Sequence, residues 1–297
     1  EHKLSRVVVA SCSPRMHELT FRRVVEEGGL NQYLFEMTNI REHCSWVHSD
    51  DPQRATKKAK DLIRMSVARA KLLEPLQKRE VGVTVRALVI GSGVSGIRSA
   101  LDLAERGFDV YLIEKLPNIG GRMAQLNKLY PTGEHALEVL KPLMDAVFSN
   151  PKIKLLTNSE VTAVDGFIGN FKAKITEKPR YVNEKCNLCT ECEKACPVEV
   201  SNEFDFGLSK RKAIYIPFPE AVPPRYVIDD KNCTKCGKCV EVCKPGAINL
   251  EEQPKETEAE VGTIVVAIGH DTYEPRKGEF GYGLYENVVT TPQLERL

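Results

Sequence analysis

Two runs of one cysteine pattern, C-x-x-C-x-x-C-x-x-x-C, carry the clearest chemistry in this chain. The first is Cys186, Cys189, Cys192 and Cys196, followed by Pro197. The second is Cys233, Cys236, Cys239 and Cys243, followed by Lys244 and Pro245. Eight of the ten cysteines fall in this stretch. A [4Fe–4S] cluster needs four thiolates at the corners of a cube, and three at this spacing sit on a loop that wraps one face. In the two-cluster bacterial ferredoxin pattern the fourth cysteine of each run ligates the other cluster. That predicts one cluster on Cys186, Cys189, Cys192 and Cys243, and a second on Cys233, Cys236, Cys239 and Cys196. Because 36 residues separate Cys196 from Cys233, the crossing of the fourth ligands rests on that pattern and not on the spacing. The alternative is two zinc sites, but zinc needs only two C-x-x-C pairs per site, so the triplet-plus-one spacing is superfluous for it.

A second candidate site is Gly91-Ser92-Gly93-Val94-Ser95-Gly96. Alone, a G-x-G-x-x-G is weak. Here it follows an apolar run, Arg86–Ile90, opens a helical stretch, and is followed by another strand, Asp109–Ile113, that ends in Glu114. That is the context the dinucleotide fingerprint requires. Gly91 makes the tight turn, Gly93 lets backbone approach a pyrophosphate, and Gly96 lets helix and strand pack closely. The helix N-terminus offers N–H donors and partial positive charge to phosphates. Glu114, 18 residues after Gly96, would accept from the adenosine ribose hydroxyls, with Lys115 beside it. The turn by itself does not separate FAD from NAD, and a tight turn without any ligand is the bland alternative. Three features favour FAD. Gly120-Gly121-Arg122 follows Glu114 closely, with Arg122 able to reach the pyrophosphate and Met123 able to approach the ring. Val161 fits the strand whose backbone meets adenine. Thr263–Gly269, including Ala267 and Gly269, fits a segment that closes over FAD. A flavin also passes single electrons to clusters and electron pairs to two-electron partners, which a nicotinamide does not.

These residues need elements to hold them. Arg6–Ala10 and Tyr33–Met37 read as buried strands, with a helix over Arg15–Glu27 and a longer one from Pro52 to Leu73. Asn39–His48 reads as a polar loop. The strand–turn–helix–strand of 86–114 is a βαβ unit. Leu137–Phe148 reads as a helix bent or split by Pro142, and Ile153–Leu156, Glu160–Asp165 and Asn170–Glu177 as strands. Lys212–Pro224, rich in proline, reads as an extended linker between the cysteine runs, and Glu251–Glu260 as an exposed acidic stretch. The expected division is a small N-terminal α/β domain at 1–80 and a Rossmann-like FAD-binding domain beginning at 81–180. A two-cluster ferredoxin-like insert follows at 181–252, and the FAD-binding domain returns, incomplete, at 253–297.

Bulk properties set outer limits. The chain has 297 residues, 42% hydrophobic and 28% charged, with a net charge of +1. That balance gives no general pull toward nucleic acid or membrane. No apolar run approaches the roughly 18–20 residues of a membrane span. Clustered cysteines argue for metal ligation in a reducing compartment, hence the cytoplasm, rather than disulfides. The start at Glu1 and an end within what reads as a new element suggest a piece of something longer, or a split chain.

With these residues in place, the chain resembles the iron–sulfur flavoprotein component of heterodisulfide reductase, found in methanogens and related anaerobes. The likeness is specific at Val7–His17, Asn39–His48, Gly120–Ala124, Lys212–Pro219 and both cysteine runs. The resemblance implies an electron-bifurcating FAD in a thioredoxin-reductase-like domain, two [4Fe–4S] clusters as one-electron relays, and substrate chemistry on other heterodisulfide reductase subunits. It implies ferredoxin and hydrogenase or formate dehydrogenase subunits as further partners, and a homo-oligomer. It also implies a cysteine pair where this chain has His135 and Glu138. An additional cluster near Cys12 and Cys44 competes with a reading of both as buried, inert thiols. Trp46 reads as core or interface packing, and Lys210–Lys212 as a solvated basic turn.

Two other functions compete with this electron-transfer role. A self-contained NAD(P)H-dependent iron–sulfur flavoprotein oxidoreductase would need a second G-x-G-x-x-G, which the chain lacks. A scaffold with purely structural clusters would be redox-silent. No Cys-x-x-Cys pair accompanies the glycine turn, so no catalytic residue for disulfide reduction is expected in this chain.

Overall fold

The computed structural model describes residues 3–78 and 80–297 and forms two compact units, 1–80 and 81–297. Arg79, inside the stretch read as a domain boundary, lies outside the described residues.

In the first unit, β1 (Val7–Ser11), α1 (Pro14–Glu27), β2 (Phe35–Asn39) and α2 (Pro52–Lys71) follow in order. β1 and β2 pair in parallel, Val7 opposite Phe35. Ser13 caps α1 and Asp51 caps α2, each side chain accepting a first-turn N–H, and a proline takes the first helical position in both. The core is small: Val25, Phe35 and Met37, with Val7, Val9, Phe21 and Leu30 against them. The stretch expected as a loop contains a single π-helical turn, Arg41–Ser45. Trp46, expected in a core or interface, is 63% exposed beneath the Arg41 guanidinium.

The second unit begins with β3 (Arg86–Ile90), α3 (Val94–Glu105), β4 (Asp109–Ile113), α4 (Ala136–Ser149) and β5 (Ile153–Leu156). A hairpin follows, β6 (Ser159–Phe167) and β7 (Asn170–Glu177). The cysteine block holds α5 (Glu191–Ala195), β8 (Glu199–Ser201), β9 (Lys210–Lys212), β10 (Ile214–Tyr215), β11 (Val227–Ile228) and α6 (Lys238–Glu241). Last come β12 (Lys255–Val261), β13 (Thr263–Val266) and α7 (Thr291–Arg296).

Four of these strands form a parallel sheet in the order β13-β3-β4-β5, and three form an antiparallel sheet, β12-β7-β6. β13 pairs with β3 residue for residue, Ile264 with Leu88 and Val266 with Ile90. The chain therefore leaves the parallel sheet after β5 and rejoins it at the opposite edge. Val89, Leu112, Ile97, Leu140 and Met144 are fully buried between sheet and helices, and Leu88 is buried on the other face against β7 and β12. Each such side chain contributes about 1.5–3 kcal/mol of burial.

Three sequence expectations fail here. The acidic stretch is strand β12, paired with β7 along Lys255–Val261, and its alternation puts Ala259 and Val261 in the core while the glutamates face out. Lys210–Lys212 is a strand paired with Glu199–Ser201, not a turn. The proline-rich linker is a packed strap: Ile214 is paired in β10, and Phe218, Ala221 and Val222 are buried in the same core as Leu112 and Ile119. Proline content signals extension correctly, but the apolar residues between the prolines decide that the strap is buried.

Candidate functional site

The glycine turn lies at the carboxyl ends of β3 and β4, where ligands bind in open α/β sheets. Gly91 has φ +96°, and a Cβ there would come within 2.4 Å of the Ala267 carbonyl oxygen. A Cβ on Gly96 would lie 1.8 Å from the Gly91 oxygen. Only glycine at both places lets α3 leave the sheet against the end of β13. Gly93 differs. It caps α3 in an extended conformation with no side-chain cap bond, and a Cβ there would meet nothing within 4 Å. Gly120 and Gly121 lie alongside: the Gly120 N–H donates to the Ser92 carbonyl at 2.9 Å, and a Cβ on Gly121 would sit 2.8 Å from Gly93 Cα. The two glycine segments thus make one open backbone cradle at the uncapped N-terminus of α3. First-turn N–H groups without internal partners are what a diphosphate needs.

Glu114 is buried and already engaged. Its Oε2 accepts from the Ser92 N–H at 2.9 Å and from Ser92 Oγ at 2.6 Å, and its Oε1 accepts from the Leu116 N–H at 2.9 Å. Three of about four acceptor positions on the carboxylate are taken. The residue expected to receive ribose hydroxyls therefore first holds the turn in shape. Lys115 and Ser95 are exposed. Arg122 lies at the rim, bonded to Gln125, 3.6 Å from Asp271 and over the Phe206 ring. Met123 packs into the core beside the cradle, so it fills space there. Val161 sits at a bulge in β6 opposite Ile175, away from the parallel sheet's own register. Ala267 bonds back to Ile90 through its N–H at 2.8 Å, and exposed Gly269 turns the chain at φ +69°.

The two cysteine runs adopt the same backbone. Leu188 and Thr190 in the first, and Lys235 and Gly237 in the second, all have φ near the left-handed region, and each run ends in a short helix, α5 or α6. All ten cysteines are free thiols. Cys192 and Cys239 are buried, Cys189 and Cys236 are exposed, and Cys186, Cys196, Cys233 and Cys243 pack around Tyr181, Ile214, Tyr226 and Ile248. Burial pushes the Cys192 thiol up to about 12, and Cys186, Cys189 and Cys243 add to the effect as neighbouring charges. Burial likewise raises Cys239, with Cys233, Cys196 and Cys236 as its neighbours. Both runs thus fold into one core, in which Cys243 of the second run acts on Cys192 and Cys196 of the first acts on Cys239. Backbone N–H groups turn toward sulfur, Lys235 to Cys233 at 3.4 Å and Ala247 to Cys243 at 3.3 Å. Among the described residues no group of three Cys, His, Asp or Glu side chains is placed to hold a metal ion.

Elsewhere, Cys44 is buried and its thiol donates to the Ala55 carbonyl at 2.9 Å, while Cys12 packs against the first unit's core. Cys44 thus has the environment of an inert structural thiol. His135 is exposed at the start of α4.

One region that joins the two candidate sites has no sequence signal. The strap docks on the loop between Glu114 and Gly120: the Ile119 N–H donates to the Val222 carbonyl at 2.8 Å, and Asn118 Nδ2 donates to the Pro223 carbonyl at 2.8 Å. Arg180, 5% exposed, ties the same pieces together. Nothing in the local sequence, a lone arginine after Lys178-Pro179, marks it.

Comparison with known proteins agrees with this geometry. A 4Fe-4S dicluster domain matches residues 185–248, and an NAD(P)-binding Rossmann-like domain matches residues 89–144. An iron-sulfur subunit of the CoB–CoM heterodisulfide reductase of Methanopyrus kandleri is 59% identical over 299 aligned residues, covering 100% of this chain and 46% of that protein. The chain is similar along its whole length to iron–sulfur subunits of heterodisulfide reductase. The corresponding subunit of the H(2):CoB-CoM heterodisulfide,ferredoxin reductase of Methanothermobacter marburgensis is 55% identical over 99% of this chain and 45% of its own length. That of the H(2)/formate:CoB-CoM heterodisulfide,ferredoxin reductase of Methanococcus maripaludis is 48% identical over 100% of this chain and 45% of its own. The chain thus spans about half the length of the curated relatives it matches. Among solved structures, the thioredoxin reductase of Lactococcus lactis overlaps 30% of this chain at 19% identity and a TM-score of 0.27. The fold combines a Rossmann-like α/β domain, an inserted 4Fe–4S dicluster module and a small α/β unit. No described helix is long and apolar enough to cross a membrane.

Proposed function

We propose that this chain is the FAD- and [4Fe–4S]-carrying electron-transfer part of a heterodisulfide-reductase-type oxidoreductase complex. The observation that carries the reading is that both cysteine runs pack around Tyr181, Ile214, Tyr226 and Ile248 in the same unit as the glycine cradle, which supports Cys186, Cys189, Cys192 and Cys243 as one set and Cys233, Cys236, Cys239 and Cys196 as the other. In a two-cluster ferredoxin module that pairing fixes two clusters close together. A flavin, when bound, exchanges electron pairs with two-electron couples and single electrons with clusters.

The chain's own residues do the positioning. The first-turn amides of α3 and Arg122 hold the diphosphate, Gly93 and Gly121 keep side chains out of its way, and Glu114 fixes the turn through Ser92. The strap from Ile214 to Pro223 runs from the cysteine block to the loop before Gly120, so the two cofactor sites share one rigid connection. With no Cys-x-x-Cys beside the cradle, disulfide chemistry falls to partner subunits. The proposed electron partners are ferredoxin and a hydrogen- or formate-oxidising subunit, in line with the names of the relatives, and the cytoplasm is the proposed compartment.

Anaerobically purified protein tests this. We expect about eight irons and one FAD per chain, with both cluster signals and the flavin bleached on stepwise reduction. Iron at two zinc-like sites or fewer, or a flavin-free protein that takes up no FAD, overturns the assignment. Rapid flavin bleaching by NAD(P)H in the isolated chain would instead favour the self-contained reductase.

A further inference from the structure

Arg180 is a buried cation that the cofactor assignments leave unexplained. Its five N–H groups face five neutral acceptors. Nε donates to the Tyr226 carbonyl at 3.0 Å, and Nη2 donates to the Arg225 carbonyl at 2.7 Å and to Asn118 Oδ1 at 3.5 Å. Nη1 donates to the Pro117 carbonyl and to Thr157 Oγ1. Among the described residues no carboxylate lies within ion-pair distance of it. Desolvation, with the like charge of Arg225, draws the guanidinium down to about 9, while Tyr215, the Cys186 thiol and Glu252 act the other way. A buried charge without an ion-pair partner is expensive, and such groups are retained where the charge has work to do.

Its neighbours show where that charge acts. On one side, Pro117 and Asn118 belong to the loop that ends in the Gly120–Gly121 half of the cradle. On the other, Tyr226 packs in the same core as Cys192 and Cys239, and its hydroxyl donates to Glu193 at 2.6 Å, next to Cys192. Arg180 thus links the loop of the cradle to the core that holds both cysteine runs, and its Tyr226 contact leads through Glu193 to the first run.

We propose that Arg180 is a positioning residue for electron transfer: a buried positive charge that selectively favours the reduced form of the cluster held by Cys186, while its fork clamps the strap to the cradle loop. This rests on the cluster assignment above. Each electron added to a cluster adds negative charge, which an uncompensated cation stabilises. A unit charge acting over roughly 10 Å through an effective dielectric of about 20 shifts a one-electron equilibrium by about an order of magnitude. The cluster held by Cys233 lies on the second set and should respond much less.

The test is a reductive titration of the iron- and flavin-loaded protein, followed by electron paramagnetic resonance, for wild type, Arg180→Gln and Arg180→Lys. The wave belonging to the first set is identified as the one altered by Cys189→Ser. In Arg180→Gln the reduced-to-oxidised ratio of that cluster at fixed potential should fall about tenfold, about 59 mV for a one-electron couple, with the second wave moving less than twofold. Arg180→Lys keeps the charge and should stay within about threefold of wild type. If Arg180→Gln loads too little iron, Nε-acetyllysine placed at position 180 serves as the neutral variant. An iron-replete neutral variant with both waves unmoved, or with both moved equally, overturns the proposal. A wild type lacking iron in the first set would instead overturn the cluster assignment, so the two failures are distinct.

Discussion

Gly93→Ala separates ligand binding from folding more cleanly than any other substitution in the cradle. The added Cβ would meet no protein atom within 4 Å, and Gly93 has φ −69° and ψ −179°, which alanine adopts freely. Its folding cost is that of alanine replacing glycine at an N-cap, about 0.5–1 kcal/mol. In a unit of this size that lowers Tm by about 1–4 °C. The same methyl projects into open space at the N-terminus of α3, where the diphosphate would lie in the proposed reading. Displacing it from one or two charge-assisted backbone hydrogen bonds loses about 1.5–3 kcal/mol, or roughly 10–150-fold in FAD affinity. Gly96→Ala is the contrast. Its Cβ would sit 1.8 Å from the Gly91 oxygen, and that oxygen is backbone, so β3 and α3 must separate. We expect a loss of about 3 kcal/mol or more, with poor expression. Flavin fluorescence titration and thermal melts, run side by side, decide the matter. Wild-type FAD affinity in folded Gly93→Ala would refute the placement of the diphosphate at this turn.

Cys243→Ala should abolish the cluster of the first run while sparing the second, and Cys196→Ala should do the reverse; resonance spectra showing each mutation destroying its own run's cluster would refute the crossed ligation. The cluster-free protein should lose stability as pH rises from about 8.5 toward 12, because the unfolded thiol of Cys192 ionises near 8.5 while the folded one holds its proton to about 12. Denaturant melts under reducing conditions across that range should show the decline, and Cys192→Ala should flatten it. Tyr226→Phe removes the 2.6 Å bond to Glu193 and should cost about 1–1.5 kcal/mol, read as a drop in Tm of about 2–4 °C. Trp46→Ala, at an exposed ring under Arg41, should change stability by less than about 1 kcal/mol, measured by the same melts.

The strands and helices that carry the site are legible in the sequence because their signals are local. Arg86–Ile90 is a run of apolar residues ending in glycine, and it is a strand that turns at Gly91. α3 and β4 also lie within a residue of where periodicity puts them. Pro142 signals a bend or a split, and α4 runs unsplit through it from Ala136 to Ser149, since tertiary packing of Leu140 and Met144 outweighs one lost hydrogen bond. The other departures share a cause. Glutamates alternating with Ala259 and Val261 have the composition of a solvated stretch, and only pairing with β7 makes them a strand. The prolines around Phe218 and Val222 have the composition of a linker, and only the parallel sheet's core makes them a buried strap. Trp46 suggests core or interface packing by its type alone, and its exposure takes it out of the core.

Which chemistry this chain can do is set by covalent spacing. Eight cysteines in two identical runs specify cluster-like ligation, and glycines at 91, 93 and 96 specify a turn that a Cβ at its first or last position would block, because short-range sterics and ligand counts depend on neighbours in the chain. Which cysteine joins which set, and what stands between cradle and cysteines, depends on groups far apart in sequence. The two runs share one core around Ile214 and Tyr226, the strap at Val222 reaches Ile119, and Arg180 collects acceptors from residues 117 to 226. Burial of a charge and pairing across long loops are decided only when the core has closed, and that information is carried by no local pattern.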